Sequence, residues 1–147
     1  MTAAENHTRK EEFAWLINDF VSKVHGVSHA LIMSTDGFPL TASAEVDEEA
    51  AEQLAAIASG LLSLAGNSAT LFGKGRCEQI IIRLTRGYFL FMGIDPGAGL
   101  AVLTGPECDM KVVAYEMTQF VSSAGHVLTP EMRADLRRVL TARRPQS

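Results

Sequence analysis

Apolar residues recur along this chain with two different periods, and the changes of period divide it into helices and strands. Phe13, Leu16, Ile17, Phe20, Val21 and Val24 fall at helical spacing behind a Thr8–Glu11 capping-box pair. This predicts a first helix running to about His25 and stopping at Gly26. Hydrophobic residues then run from Ser28 to Ser34. Thr35-Asp36-Gly37 is a turn signal ahead of Phe38-Pro39-Leu40, which makes a hairpin with Pro39 at a sheet edge or strand entrance. Asp47 is placed to cap a second helix reaching about Gly66, with Glu48 and Glu49 favouring the positive end of its dipole. Ile80-Ile81-Ile82, then Tyr88 to Met92, then Leu100 to Leu103 read as a three-stranded meander, its turns at Thr85-Arg86-Gly87 and Asp95 to Gly99. A third helix is expected from about Pro106 to Ala124, with Met110, Val113, Ala114, Met117, Phe120 and Val121 on one face. Thr129-Pro130 opens a fourth, with Met132, Leu136, Val139 and Leu140 as a narrow stripe among arginines. The order is αββαβββα plus a C-terminal helix, an α/β (α+β) fold whose tight turns make the sheet antiparallel.

The second helix is the most informative stretch. At 100° per residue, Leu54, Ile57, Ala58, Leu61, Leu64 and Ala65 form a stripe expected to lie on the sheet. The opposite face then reads Ala56, Ser59, Gly60, Ser63 and Asn67, and no charge falls between Leu54 and Ala65. A face meeting water normally carries Lys or Glu. A small, uncharged face lets another backbone approach closely, so a protein contact is expected there. Gly60 is kept at a helix-propensity cost of about 1 kcal/mol.

Composition narrows the class. The chain has 147 residues, 47% of them hydrophobic and 20% charged, which suits one domain. Its boundaries are expected at 1–128, with 1–7 disordered, followed by an arginine-rich tail at 129–147. The net charge of −4 hides an asymmetry: beyond Thr129, five arginines stand against Glu131 and Asp135, so the rest of the chain is the acidic part. An acidic body lacks the basic face that nucleic acid requires. Gln53 to Phe72 lacks charge but is diluted by Ser, Gly and Asn67, a poor membrane span. The polar N-terminus is no secretory signal. Cys77 and Cys108 are far apart and fit two reduced thiols in the cytoplasm.

No reaction centre assembles. Asp95-Pro96-Gly97-Ala98-Gly99 lacks the Lys-Ser/Thr of a phosphate loop and joins strand to strand. His25 and His29 straddle the helix end, and His7 and His126 have no carboxylate spaced for a relay. Ser122 and Ser123 lack a nucleophile elbow. Glu45, Asp47, Glu48, Glu49 and Glu52 lack the loop periodicity of a calcium site. No catalytic or metal residue is assigned and no cofactor is expected.

Gly26-Val27, Ala30-Leu31-Ile32-Met33-Ser34 and Asp36-Gly37-Phe38-Pro39-Leu40 resemble the opening hairpin of the roadblock (dynein light chain) superfamily. Glu78-Gln79-Ile80-Ile81-Ile82, Gly99-Leu100-Ala101-Val102 and Tyr115-Glu116-Met117 resemble its actinobacterial signalling branch. The resemblance spans about Glu12 to Leu128. It implies a five-stranded antiparallel sheet between helices, and a homodimer joined through the second helix and third strand. It also implies service to a Ras-like small GTPase, in a complex that includes a sensor-kinase-like protein and can be drawn to the membrane through partners. Polarity-system members activate GTP hydrolysis without an arginine finger, so no catalytic residue transfers. Whether this chain activates a GTPase or is a passive assembly scaffold is left open. The expected dimer interface is Ala56, Ser59, Gly60 and Ser63 with Cys77, Gln79, Ile81 and Arg83. The expected GTPase-binding frame is Glu48, Glu49, Glu52 and Gln53.

Overall fold

The computed structural model describes residues 3–142, with side chains from 11 to 134 and at 136 and 137. Four helices and five strands follow in the expected order: α1 (Ala3–Lys23), β1 (Val27–Ser34), β2 (Pro39–Ala42), α2 (Glu48–Leu71), β3 (Gln79–Leu84), β4 (Gly87–Ile94), β5 (Ala98–Thr104), α3 (Met110–Val127) and α4 (Pro130–Ala142). All strand pairs are antiparallel, and the sheet order is β2-β1-β5-β4-β3. The hairpin and the meander therefore join where β1 pairs with β5, leaving β2 and β3 as edges. Pro39, which has no N–H to give a ladder, opens the edge strand β2.

Side chains alternate between the two faces of this sheet and build two cores. Ala30, Ile32, Leu90, Leu100 and Val102 meet Phe13, Ile17 and Val24 of α1, Val113 and Met117 of α3, and Met132 and Leu136 of α4. Phe20 and Phe120 touch edge to face at 5.3 Å between ring centres. On the other face, Leu31, Met33, Phe89, Phe91 and Ala101 meet Ala51, Ala55 and Ala58 of α2. Three helices cover one face and a single helix the other.

Several boundaries differ from the sequence expectation. α1 begins at Ala3, inside the stretch expected to be disordered, so Thr8 lies within the helix instead of capping it. Its far end is as expected: Gly26 has φ +92°, and a Cβ there would stand 2.5 Å from Cys108 Cβ. α2 continues past Gly66 to Leu71, because Gly66 weakens a helix without breaking it. α3 starts at Met110 and not near Pro106, since Asp109 caps it by accepting from the Lys111 and Val112 amides. Thr129 caps α4 through the Met132 amide at 3.1 Å. Val139, Leu140 and the arginines after Arg137 lie outside the described side chains.

The larger correction concerns the rotation of α2: Leu54, Ala58 and Leu61 meet the core as expected, but the buried stripe is turned toward Ala51 and Ala55. Ala51, Ala55 and Ala58 seat it, while Ile57 and Leu64, expected on the sheet, are 57% and 69% exposed. The sheet supplies the bulk of this layer from Phe89, Phe91, Leu31 and Met33, so alanines take the closest positions and Leu54, Leu61 and Leu62 pack around them. By length and composition α2 is also long and apolar enough to cross a membrane.

Candidate interaction surface

Asp47 starts α2 by accepting from the Ala50 amide at 2.8 Å. Ile57, Leu64 and Leu71 then recur every seven residues, within about 40° of one line on a 3.6-residue helix. Leu71 is 77% exposed and Phe72, which ends the helix, 70%. Gly60 sits beside this line with nothing within 4 Å of where a Cβ would be. Ala56, Ser63 and Asn67 are exposed on the same side. The outward surface is therefore a stripe of large aliphatics flanked by small residues, more apolar than the small-residue face the sequence suggested.

Ser59 plays a different part from its neighbours. It is half-buried, and its hydroxyl donates to the Thr35 carbonyl at 2.9 Å, tying α2 to the β1–β2 turn. At the start of α2, Glu49 and Gln53 are exposed, and Glu48 and Glu52 are half-buried. Gln53 reaches the Glu49 carboxylate at 3.5 Å. This end of the helix is an acidic rim.

β3 bonds only to β4 and leaves its other side open. Ile80 and Ile82 pack toward α2. Gln79, Ile81 and Arg83 alternate to the opposite face and are exposed, Ile81 at 53%. Cys77, just before the strand, is half-buried, with its thiol 3.6 Å from the Gln79 carbonyl. Ala56, Gly60 and Ser63 are thus exposed on α2, and Gln79, Ile81 and Arg83 are exposed on the edge strand β3, with Cys77 half-buried just before it. An exposed apolar helix face and an unpaired edge strand are each features that other chains can join.

α4 forms a second polar arrangement that the sequence concealed. Arg137 Nη2 pairs with the Asp36 carboxylate at 3.1 Å, and its guanidinium lies 4.2 Å from the centre of the Phe38 ring. Ser34 donates to Asp36, and it accepts from the Phe38 amide and from Arg137 Nη2, the latter two contacts at 3.1 Å. The Ser34 hydrogen bond holds the Asp36 carboxyl below its ordinary 3.8, against the opposing effect of burial and with help from Arg137. A depressed value means that the contact contributes above that ordinary value and is lost as pH falls through the lower folded one. Mobility of α4, read from amide exchange corrected for intrinsic rates, is expected to stay constant from about pH 5 to 8. It should rise only in acid below 3.8.

Two clefts flank this region, one of about 360 Å³ between α4 and the turns at Thr35 and Gly97, the other of about 300 Å³ near Arg76, Asp95 and Cys77. Arg76 and Asp95 form an exposed ion pair at 3.1 Å across the second. Neither cleft brings a nucleophile, a base and an orienting group together. Among the described residues no three His, Cys, Asp or Glu side chains gather as a metal site.

The topology defines a class: an α/β domain with a β2-β1-β5-β4-β3 sheet, one helix on one face and three on the other. Residues 13–104 match the family model described as the Roadblock/LC7 domain, and the chain belongs to that family. A Roadblock/LC7 domain from Streptomyces avermitilis is 32% identical, with a TM-score of 0.74 over 79% of this chain and 98% of that one. Two distant structures share the fold. Myxococcus xanthus MglB is 9% identical, with a TM-score of 0.73 over 79% of this chain and 94% of that one. The gliding protein MglB of Thermus thermophilus is 15% identical, with a TM-score of 0.71 over 86% of this chain and 92% of that one. No curated protein matches the chain in sequence.

Proposed function

We propose that this protein is a non-catalytic homodimer that regulates a Ras-like small GTPase within a bacterial signalling complex. The observation that carries the reading is the surface formed by Ile57, Leu64, Leu71 and the open β3 edge. Two copies related by a two-fold axis bury the α2 stripes against each other and extend the sheet from β3 to β3. Ala56, Gly60 and Ser63 let the helices approach, and Gln79, Ile81 and Arg83 flank the strand seam. Family membership supports the GTPase as partner, because the bacterial polarity members of this family serve such GTPases.

The acidic rim of Glu48, Glu49, Glu52 and Gln53 frames the platform made by two α2 helices and steers a basic patch on the GTPase. One asymmetric GTPase crossing the two-fold axis blocks a second, so the complex holds one GTPase per dimer. The domain works in the cytoplasm and reaches the membrane only through partners, a sensor-kinase-like protein among them.

Glu48→Lys combined with Glu52→Lys is expected to slow association with the GTPase about tenfold at low salt, with the difference shrinking as salt is added. The dimer should remain intact. GTP turnover by a purified bacterial Ras-like small GTPase, measured with and without this protein, tests the regulatory role. Acceleration supports an activating partner, and binding with unchanged turnover reduces the role to a scaffold. Absence of any binding to that GTPase would overturn the reading.

A further inference from the structure

The β1–β2 turn is held from two sides. From α2, Ser59 donates to the Thr35 carbonyl at 2.9 Å, and a Cβ on Gly37 would meet Ser59 at 3.5 Å. From α4, Arg137 pairs with Asp36, bonds Ser34 and stacks on Phe38. The backbone between these grips is fixed to the neighbouring turn, since the Thr35 amide donates to the Gly97 carbonyl at 2.9 Å. Arg133 packs against that same turn, its Nη1 only 2.7 Å from where a Gly97 Cβ would stand.

The docking of α4 is not fully satisfied. Arg133 Nε is buried and has no hydrogen-bond partner among the described residues. A buried donor without an acceptor costs free energy that release into water restores. Only Met132 and Leu136 anchor the described part of the helix in the core, and its joint to α3 is the pair Leu128–Thr129. A buried donor without a partner among the described residues, a two-residue joint and an exposed ion pair describe an element that can leave the body without unfolding it.

We propose that α4 is a releasable clasp, and that the β1–β2 turn couples its docking to the outer side of α2. Ordering α2 around Ser59 holds Thr35 and Asp36 where Arg137 can reach them. Release of α4 frees the turn and loosens its hold on Ser59. The coupling is reciprocal, so whatever covers α2 also biases the clasp. This last step rests on the pairing surface proposed above, whereas the link from Ser59 to α4 is a property of one chain.

Hydrogen exchange on the full-length protein, read by mass spectrometry, tests both parts. Asp36→Asn removes the ion pair and should speed exchange of the α4 amides about fivefold or more. Ser59→Ala, whose side chain meets the turn, should also speed α4 exchange severalfold, and Ser59→Thr, which keeps the hydroxyl, should restore it. Exchange of the central β5 amides reports the global fold and should stay unchanged in all three. Unchanged α4 exchange in Asp36→Asn overturns the clasp. A response to Asp36→Asn with none to Ser59→Ala overturns the coupling, as does a Ser59→Ala response accompanied by faster β5 exchange and not reversed by Ser59→Thr. Running the set in a Leu64→Glu background separates the two proposals: an unaltered oligomeric state sinks the pairing surface, while the exchange comparison still decides the clasp.

Discussion

Leu64→Glu is expected to leave the protein monomeric at micromolar concentration and to remove the concentration dependence of its thermal midpoint. Leu64 is 69% exposed in the single chain, on the face it shares with Ile57 and Leu71. Burying one leucine contributes roughly 1.5–3 kcal/mol, and a two-fold interface buries it twice. Losing that contribution weakens dimerisation by about 100-fold or more before the cost of desolvating two carboxylates is counted. In the separated chain the new carboxylate faces water, so the fold itself is not penalised. The unaltered protein should melt higher as its concentration rises, because association stabilises the folded form by mass action. Gly60→Arg, which places a long cation where nothing lies within 4 Å, should behave in the same way. Sedimentation equilibrium and calorimetry over a dilution series check both variants. If both still sediment as dimers, the pairing surface lies elsewhere.

The elements themselves were legible because their signals are local. Asp36-Gly37 marks the hairpin, Gly26 closes α1, and Asp47 and Thr129 cap the helices they precede, as the structure has them. The meander follows from short turns that leave antiparallel pairing as the only close connection. What failed was the rotation of α2, which turns Ile57 and Leu64 outward while Leu54, Ala58 and Leu61 stay on the core side as expected. Hydropathy ranks Leu and Ile above Ala, so the periodic pattern put Ile57 and Leu64 inward. Packing is decided by the volume shared between two layers, and Phe89 and Phe91 had already filled the sheet's side. The two orientations cannot be separated without knowing which strands oppose the helix. Arg137 was hidden for a related reason. Its partner Asp36 is 101 positions away, and an arginine-rich amphipathic helix has the pattern of a solvated one. The acidic residues at the start of α2 and the β3 edge were legible in the chain; Glu49, Gln53 and Ile81 are exposed, and Glu48 and Glu52 are half-buried. Their roles rest on the experiments above.

The seat of α2 depends on a glycine whose importance only the packing reveals. Gly99 of β5 lies opposite Met33 on one side and Gly93 on the other. A Cβ at Gly99 would stand 2.1 Å from Phe91 Cζ and 2.2 Å from Cε2, so the phenylalanine ring occupies the space above the glycine. That ring is 1% exposed and belongs to the core beneath Ala51, Ala55 and Ala58, so it cannot swing aside as a surface side chain would. Gly99→Ala must push Phe91 toward α2, an overpacking that costs about 3 kcal/mol. In a chain of this size the thermal midpoint should fall roughly 6–12 °C. Dimerisation should weaken as well, because the displaced helix carries Ile57 and Leu64. Gly93→Ala is the matched control: it sits across the ladder on the same face, yet a Cβ there meets nothing within 4 Å, so its midpoint should hardly move. Shortening the ring should relieve the clash, so Phe91→Leu in the Gly99→Ala background is expected to lose less than the two changes do separately. Equal melting of the Gly99 and Gly93 variants would mean that Phe91 has room to move. The alanine face of α2 would then not be the fixed support from which its outer surface meets a partner.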